Sequence, residues 1–157
     1  MKILALFRHA KTERDSASGR DFDRVLTDRG QSDAKRVGTE IRDLGMRFDR
    51  VLASPATRSV ETVEGAGLPS PNYDQRIYDA SAGGLLAIVQ EAGVGVDRLI
   101  LVGHNPGFER LASRLVGENL EMPTGSLIEI ELPVEDWRDV EEGAGRLVRF
   151  LKPKDLD

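Results

Sequence analysis

Three short apolar runs divide the chain, and they constrain its fold more than any other feature. They cover residues 2–7, 50–54 and 98–102, and each is too short for a helix. Near-continuous apolar runs of this length are typical of strands buried on both faces of a parallel sheet. Between them, apolar residues recur at spacings of three and four, as in Ala34, Val37, Ile41 and Leu44. This alternation of strand and amphipathic helix predicts an α/β fold.

The C-terminal part of the chain has a different pattern. Ile128, Ile130 and Leu132 alternate with glutamates, which predicts a strand with one wet face. Residues 146–151 supply a final strand, and the acidic segment around Trp137 is expected to form a solvated turn. We therefore expect a three-layer α/β/α sandwich, with a mostly parallel central sheet and a C-terminal antiparallel hairpin at its edge. The chain length suits a single domain over residues 1–157.

Composition excludes several classes of function. The chain has no cysteine, so disulfides, thiolate catalysis and cysteine-ligated metals are ruled out. Its formal net charge of -5 gives no general attraction to nucleic acid or to an anionic membrane. The N-terminal apolar stretch, residues 3–7, is too short for a signal peptide or a membrane span. We expect a cytoplasmic protein, monomeric or weakly dimeric, with neither nucleic acid nor membrane as partner.

Candidate functional groups follow each of the three predicted strands. The first ends in Arg8 and His9, the second is followed one helical turn later by Arg58, and the third precedes His104. Parallel sheets bind ligands at the carboxyl ends of their strands, where helix N-termini favour anions. Each of these residues alone is more often structural, as a hydrogen-bonding histidine or a solvated arginine. As a set, guanidinium forks and a neutral imidazole nucleophile predict a site for a phosphoryl group.

Helix starts are predicted beside these groups. Thr27 is placed to cap the first helix through its hydroxyl. Ser54 and Asn105 each precede a proline, a pattern in which the polar side chain caps the helix and the proline occupies its first turn.

A metal site is the main alternative use of two histidines. Together with Asp15 or Asp79 they could hold zinc. Arg8 stands directly beside His9, however, and a guanidinium group repels a divalent cation. The sequence also lacks closely spaced histidines and clustered carboxylates. It therefore favours a site without a metal.

Four motifs resemble those of the histidine phosphatase superfamily, which has the phosphoglycerate mutase-like fold. They are residues 6–10 (Leu-Phe-Arg-His-Ala), 26–30 (Leu-Thr-Asp-Arg-Gly), 54–62 (Ser-Pro-Ala-Thr-Arg-Ser-Val-Glu-Thr) and 102–106 (Val-Gly-His-Asn-Pro), in the family's order. Ala10 stands where many members have glycine. The short chain and its Arg-His-Ala-Lys-Thr start resemble the SixA-like branch of small phosphohistidine phosphatases.

The resemblance implies roles residue by residue. His9 is the nucleophile that becomes phosphohistidine, while Arg8, Arg58 and His104 hold the phosphoryl oxygens. Arg24, which precedes the Leu-Thr pair, is given a phosphate contact. His104 is expected to carry a positive charge, and cations near His9 are expected to lower its pKa. No metal or organic cofactor is implied.

Asn105 and Asp79 complete the set of candidates. Asn105 is counted among the substrate-binding residues, although its position also suits a helix cap or a brace for His104. Larger superfamily members carry a carboxylate that protonates an alkoxide leaving group, and the matching region here, residues 75–81, offers Asp79 as general acid. An ordinary loop or helix-cap aspartate would have the same appearance.

The doubtful general acid bears on the substrate. Losing such an acid typically costs about 10²–10⁴-fold, and a phosphoramidate tolerates that loss better because imidazole leaves more readily than an alkoxide. The chain also leaves little room for a lid, so we expect an open site that accepts phosphohistidine in a protein. Two alternatives remain open: a small-molecule phosphomonoesterase that uses Asp79 on a small phosphate ester, and a non-catalytic phosphate-binding module.

Overall fold

The computed structural model describes residues 1–156, in which six strands alternate with four α-helices. The strands are β1 (Lys2–Arg8), β2 (Arg50–Ala53), β3 (Asn72–Tyr73), β4 (Arg98–Gly103), β5 (Leu127–Leu132) and β6 (Arg146–Leu151). The helices are α1 (Asp28–Asp43), α2 (Thr57–Ala66), α3 (Ala82–Gln90) and α4 (Gly107–Val116). Short 3₁₀ turns lie at Asp21–Asp23, Gln75–Ile77, Trp137–Asp139 and Pro153–Asp155.

All six of these strands form one sheet in the order β3-β2-β4-β1-β5-β6. The first four are parallel, whereas β5 runs antiparallel to β1 and β6 runs antiparallel to β5. The predicted mostly parallel sheet with an antiparallel hairpin at its edge is therefore confirmed. The order places β1 and β4 side by side at the centre, which brings their carboxyl ends together.

The central strands bury both faces of the sheet. In β1, Leu4 and Leu6 pack with the apolar residues of α3 and α4, whereas Ala5 and Phe7 pack with those of α1 and α2. Successive side chains of a strand point to opposite faces, so a strand covered on both sides must be apolar throughout. The two helical layers and the sheet form the predicted α/β/α sandwich.

Helix starts agree with the sequence at α1 and differ at α2. Thr27 caps α1, because its Oγ1 accepts the N–H of Gly30 at 3.0 Å. The prediction that Ser54 caps α2 is wrong, since the helix begins at Thr57 and Ala56 occupies the cap position. Pro55 and Ala56 separate Ser54 from the helix, so its hydroxyl does not cap α2 and is available for a contact in the functional site.

The turn between β5 and β6 also departs from the expectation. Trp137 is 1 % exposed and its indole N–H donates to the carbonyl of Val96. The acidic residues around it remain at the surface, but the ring packs into the core because burying a large aromatic side chain stabilises the fold strongly.

Candidate active site

The two histidines of the chain emerge side by side from the centre of the sheet. Arg8 at the end of β1 pairs in register with Gly103 at the end of β4, so the next residue of each strand faces the other. The ring centroids of His9 and His104 are 5.3 Å apart. His9 is 5 % exposed and His104 is 8 % exposed. The predicted convergence of the two imidazoles is therefore present.

Gly103 makes this arrangement possible by letting α4 approach the end of β4. A Cβ atom at this position would lie 2.7 Å from the ring of Phe108 and 2.8 Å from the side chain of Ile77. Both neighbours are fully packed in the core and have little room to move. A glycine is thus required directly before His104.

His9 is held in a single tautomer by the main chain. Its Nδ1 lies 2.7 Å from the carbonyl oxygen of Ala10, which can only accept a hydrogen bond. Nδ1 must therefore carry the proton, and Nε2 keeps its lone pair. Burial, followed by the positive charges of Arg58, Arg8 and Arg24, lowers the pKa of His9 to about 4 despite the opposing hydrogen bond. The ring is neutral at pH 7 and suited to nucleophilic attack.

His104 is held through its other nitrogen. Its Nε2 lies 2.7 Å from the Oγ of Ser54. The only other hydrogen bond of that Oγ within the described residues is one it accepts, from the N–H of Ala56 at 3.2 Å, so Nε2 is the acceptor left for the Ser54 hydroxyl proton. Nδ1 of His104 then carries the ring proton. The two histidines are thus protonated on the same ring position but held through different atoms, one through Nδ1 and the other through Nε2.

The expectation that His104 is positively charged is wrong for the ligand-free protein. Burial lowers its pKa to about 3, with further lowering by the nearby Arg58. A buried imidazole beside a guanidinium group favours its neutral form because the environment penalises a second positive charge. His104 therefore offers a neutral N–H donor, and the positive charge of the site resides on its arginines.

Arg8 is anchored at one end of its guanidinium. Its Nη1 donates to the carbonyl of Met122 at 2.9 Å. Burial lowers the pKa of Arg8, and the carboxylate of Glu109 opposes that shift. Because an arginine side chain stays protonated in proteins, the group provides a fixed positive charge next to His9.

Arg58 is clamped from outside by Asp21. Nη1 of Arg58 donates to the main-chain oxygen of Asp21 at 2.8 Å, and Nη2 donates to its Oδ2 at 3.0 Å. The Arg58 side chain is 7 % exposed, whereas that of Asp21 is 53 % exposed. Both terminal nitrogens of the guanidinium thus have a partner on the 3₁₀ turn before α1.

Three nitrogen atoms of this site have no hydrogen-bond partner within residues 1–156. They are Nε of Arg8, Nε of Arg58 and Nδ1 of His104, and all three are buried. A buried N–H without a partner costs about 1–3 kcal/mol, and three together need a physical explanation. Acceptor oxygens of a ligand bound beside His9 are the kind of partner that such donors need. A phosphoryl group has such oxygens and carries negative charge.

Tyr78 and Asp21 are site residues that the sequence did not reveal. The Tyr78 hydroxyl donates to Oδ2 of Asp21 at 2.7 Å, and its ring meets that of His104 edge-on at 5.5 Å. The Tyr78 hydroxyl and then the Arg58 guanidinium lower the pKa of Asp21. Asp21 is therefore an ionised carboxylate at neutral pH. It lies in the mixed-charge segment of residues 11–24, in which the sequence pattern points to a functional role for Arg24 alone.

A family comparison agrees with this geometry. The family model of the histidine phosphatase superfamily (branch 1) matches residues 4–85, a little over half of the chain. The chain belongs to this superfamily. Its membership and its structural likenesses support phosphatase activity of the histidine phosphatase type.

Curated relatives and solved structures match this chain over nearly its whole length. A protein of Mycobacterium tuberculosis (strain H37Rv) is 32 % identical over 94 % of this chain and 99 % of its own. A SixA protein from Agrobacterium tumefaciens is 28 % identical with a TM-score of 0.83, covering 97 % of this chain and 98 % of that one. A protein histidine phosphatase SixA complexed with tungstate is 21 % identical with a TM-score of 0.84, over 99 % of both chains.

Arg24 lies at the margin of the candidate site. Its Nε donates to Oδ1 of Asp21 at 3.1 Å, and its Nη1 donates to the carbonyl of Glu13 at 3.2 Å. Its charge nevertheless contributes to the lowered pKa of His9. The phosphate contact of Arg24 stays a prediction.

Asn105 has its amide fully engaged away from the phosphoryl position. Its Oδ1 accepts the N–H of Glu109, and its Nδ2 donates to both Glu109 Oε1 and the carbonyl of Met122, each at 2.9 Å. The same carbonyl accepts Arg8. Asn105 thus satisfies the first turn of α4 and braces the segment that anchors Arg8, while direct substrate binding stays a prediction.

Asp79 lies apart from the hydrogen-bond network of the site. It is exposed, its φ is 58°, and it makes no hydrogen bond or ion pair among the residues described. Its neighbour Tyr78, rather than Asp79 itself, faces His104. The role of Asp79 as general acid stays a prediction.

Residues 1–156 contain neither a candidate metal cluster nor a candidate membrane span. No group of three or more His, Cys, Asp or Glu side chains in this range is placed to hold a metal ion. None of its helices is both long and apolar enough to cross a bilayer.

Proposed function

We propose that this protein removes the phosphoryl group from phosphohistidine in a protein, through a covalent phosphohistidine intermediate on His9. The observation that carries the proposal is the free Nε2 lone pair of His9 beside three buried N–H donors that lack partners. We call the three donors, Nε of Arg8, Nε of Arg58 and Nδ1 of His104, the phosphoryl cradle. An imidazole whose proton is held on Nδ1 has Nε2 free to attack phosphorus, and donors to the phosphoryl oxygens stabilise the transition state.

The first step transfers the phosphoryl group to the protein. Nε2 of His9 attacks phosphorus, and a new N–P bond forms as the N–P bond of the substrate breaks. The leaving imidazole takes its proton from solvent. Meanwhile Arg8, Arg58 and His104 donate to the oxygens on which negative charge is distributed in the transition state.

The second step regenerates the free histidine. Water attacks the phosphorus, the N–P bond to His9 breaks, and its electron pair returns to Nε2. Inorganic phosphate leaves with the proton balance made up by solvent. The three donors serve both steps, because the oxygens of the phosphoryl group occupy the same cradle in each.

The leaving group is the reason to favour a phosphoramidate. Asp21 contacts Arg58 through its carboxylate. Because its pKa is lowered, this carboxylate is ionised at neutral pH and has no proton to donate to an alkoxide. Asp79 makes no bond to any residue of the site. An imidazole leaving group needs no protein acid, whereas the alkoxide of an alkyl phosphate ester does. The likeness to SixA proteins supports the same substrate class.

The test combines a trapping experiment with a comparison of substrates. A phosphohistidine peptide and glycerol 2-phosphate, an alkyl ester, both labelled with ³²P, are each mixed with the protein and quenched rapidly in alkali, which preserves phosphohistidine. We expect label on His9, and a higher kcat/KM for the peptide than for the ester. Absence of protein-bound label during turnover would contradict the intermediate, and equal kcat/KM values would contradict the substrate class.

A further inference from the structure

A groove of about 1050 Å³ opens beside the phosphoryl cradle and shares Arg8 with it. Its walls come from the segment after His9, the first turns of α1, the loop before β5 and the chain after β6. We name it the basic groove and define its charged rim by Lys11, Arg29, Glu121, Lys152 and Lys154. Its volume is at the upper end for cavities that enclose a small molecule, about 300–1000 Å³.

Three lysines of this rim have no carboxylate partner within the described part of the chain. Lys11 and Lys154 are exposed and make no side-chain hydrogen bond or ion pair there. Lys152 places its Nζ 4.6 Å from the centre of the Phe150 ring, a contact that leaves its charge unneutralised. These lysines form a positively charged edge, without carboxylate partners, next to Arg8.

Among the other charged groups of the groove Arg29 is paired, whereas Glu109 and Glu121 keep their negative charges against the positive charges of Arg8 and the three lysines. Arg29 pairs with Asp33 at 3.0 Å. Glu109 accepts hydrogen bonds from the side chain of Asn105 and from the N–H of Met122. The balance of free charge in the groove is therefore positive.

This positive groove contrasts with the rest of the molecule. The chain has a net charge of -5, and several surface arginines elsewhere are paired with carboxylates, as in Arg76 with Asp74 and Arg138 with Asp136. Lysines without carboxylate partners thus line a groove that shares Arg8 with the site. Charge complementarity at such a place raises the rate of productive encounter and selects between partners.

We propose that the basic groove binds an acidic segment that flanks the phosphorylated histidine of a protein substrate. This inference rests on the proposed function and adds a sequence preference to it. Small ligands are fixed by a few well-placed buried polar groups, whereas Lys11 and Lys154 are exposed side chains beside a large volume. Lysines of that kind suit an extended acidic chain, which they attract through screened charge.

The experiment uses two synthetic phosphohistidine peptides that differ only in their flanks, one with glutamates and one with glutamines. For the wild-type protein we expect kcat/KM to be about three- to tenfold higher for the glutamate peptide, as several exposed charge pairs provide. The preference resides in KM and shrinks as ionic strength rises from about 0.05 M to about 0.5 M.

Charge reversal at Lys154 tests the groove, and the same change at Lys35 is the matched control. Lys154→Glu should abolish the preference for the glutamate peptide and leave the glutamine peptide and p-nitrophenyl phosphate unchanged. Lys154→Gln should give an intermediate preference. Lys35→Glu reverses the charge of an exposed lysine of α1 that does not line the groove, and it should keep the full preference.

Each contrary outcome has a separate meaning. Equal kcat/KM for the two peptides in the wild-type protein would refute the groove proposal alone. Lower activity of Lys154→Glu on p-nitrophenyl phosphate would also refute it, because the lysine would then serve the phosphoryl group itself. Failure to hydrolyse either peptide, with p-nitrophenyl phosphate still turned over, would refute the proposed function.

Discussion

The end of β1 and the end of β4 offer the same residue type to the same site, yet they prepare it in different ways. His9 is fixed through Nδ1 by a main-chain carbonyl, and His104 is fixed through Nε2 by the hydroxyl of Ser54. The first presents a lone pair and the second presents an N–H. The comparison shows that the role of a histidine follows from which ring nitrogen its surroundings occupy.

Replacing His9 should give the largest effect. His9→Ala removes the lone pair that attacks phosphorus, and we expect kcat to fall by at least about 10⁴-fold. Steady-state kinetics with the phosphohistidine peptide provide the measurement. Binding of tungstate by calorimetry serves as the control, because Arg8, Arg58 and His104 remain in place. Turnover close to that of the wild-type protein would show that another group is the nucleophile.

Replacing His104 should be less severe. His104→Ala removes one N–H donor to the phosphoryl oxygens, and the loss of one such donor costs about 10²–10³-fold in kcat. His9 keeps its tautomer, so rapid quenching should still detect protein-bound phosphate, formed more slowly. If no labelled protein forms at any time, then His104 takes part in the attack itself. The assignment of nucleophile to His9 and N–H donor to His104 would then be wrong.

The lowered pKa of His9 makes stability depend on pH with a definite sign. The unfolded chain takes up the proton near the ordinary value of 6.5, whereas folded His9 stays neutral down to about 4. The unfolded state therefore binds more protons between these values, and the free energy of unfolding falls as pH decreases through this window. Below about pH 4 the contribution of His9 stops changing.

Urea unfolding of the wild-type protein and His9→Asn at pH 7 and pH 5, in phosphate-free buffer, measures this contribution. We expect the variant to lose about 2 kcal/mol less than the wild-type protein over that interval. His104→Asn should behave in the same direction, because burial lowers the pKa of His104 as well. Identical losses in all three proteins would mean that neither imidazole is kept neutral by the fold.

The serine that holds His104 offers a finer test. Ser54→Ala removes the hydroxyl that fixes its tautomer, and we expect a loss of about tenfold in kcat from misplacement of the donor. Ser59→Ala is the matched control, since its Oγ lies 3.5 Å from the same Nε2, against 2.7 Å for Ser54. A larger effect at position 59 would reverse the assignment of the two hydroxyls.

Asp79 should give the smallest effect. It bonds to neither strand end, so Asp79→Asn is expected to change kcat/KM for the phosphohistidine peptide by less than about twofold, the range typical of an exposed surface position. The pH profile with glycerol 2-phosphate, an alkyl ester whose leaving group needs a proton, adds a second measurement. Selective loss of ester hydrolysis in this variant would favour the small-molecule phosphomonoesterase instead.

The sequence was sufficient to place Arg8, His9, Arg58 and His104, because each stands at or soon after the end of a recognisable buried strand. Parallel strands bring their ends to one edge of a sheet, so convergence follows from the topology. The tautomers were beyond the sequence. They depend on a carbonyl and a hydroxyl whose positions only the folded main chain defines.

Asp21 and Ser54 show the two ways in which sequence reasoning fell short. Asp21 reaches Arg58 from a segment without periodicity, and its partner lies 37 positions further along the chain. Ser54 has the pattern of a helix cap, but α2 begins three residues later and its hydroxyl turns to His104 instead. Local patterns describe neighbours in the chain, and these two contacts join distant parts of it.

The carbonyl that fixes His9 belongs to the peptide backbone of Ala10 and is therefore present whatever amino acid occupies that position. No single substitution can delete it, whereas one codon change removes the hydroxyl behind His104. In a library of random variants, the attacking imidazole should be robust toward change in its immediate support. At position 54, by contrast, a single substitution is expected to change kcat, so natural or directed evolution could adjust the reaction rate there.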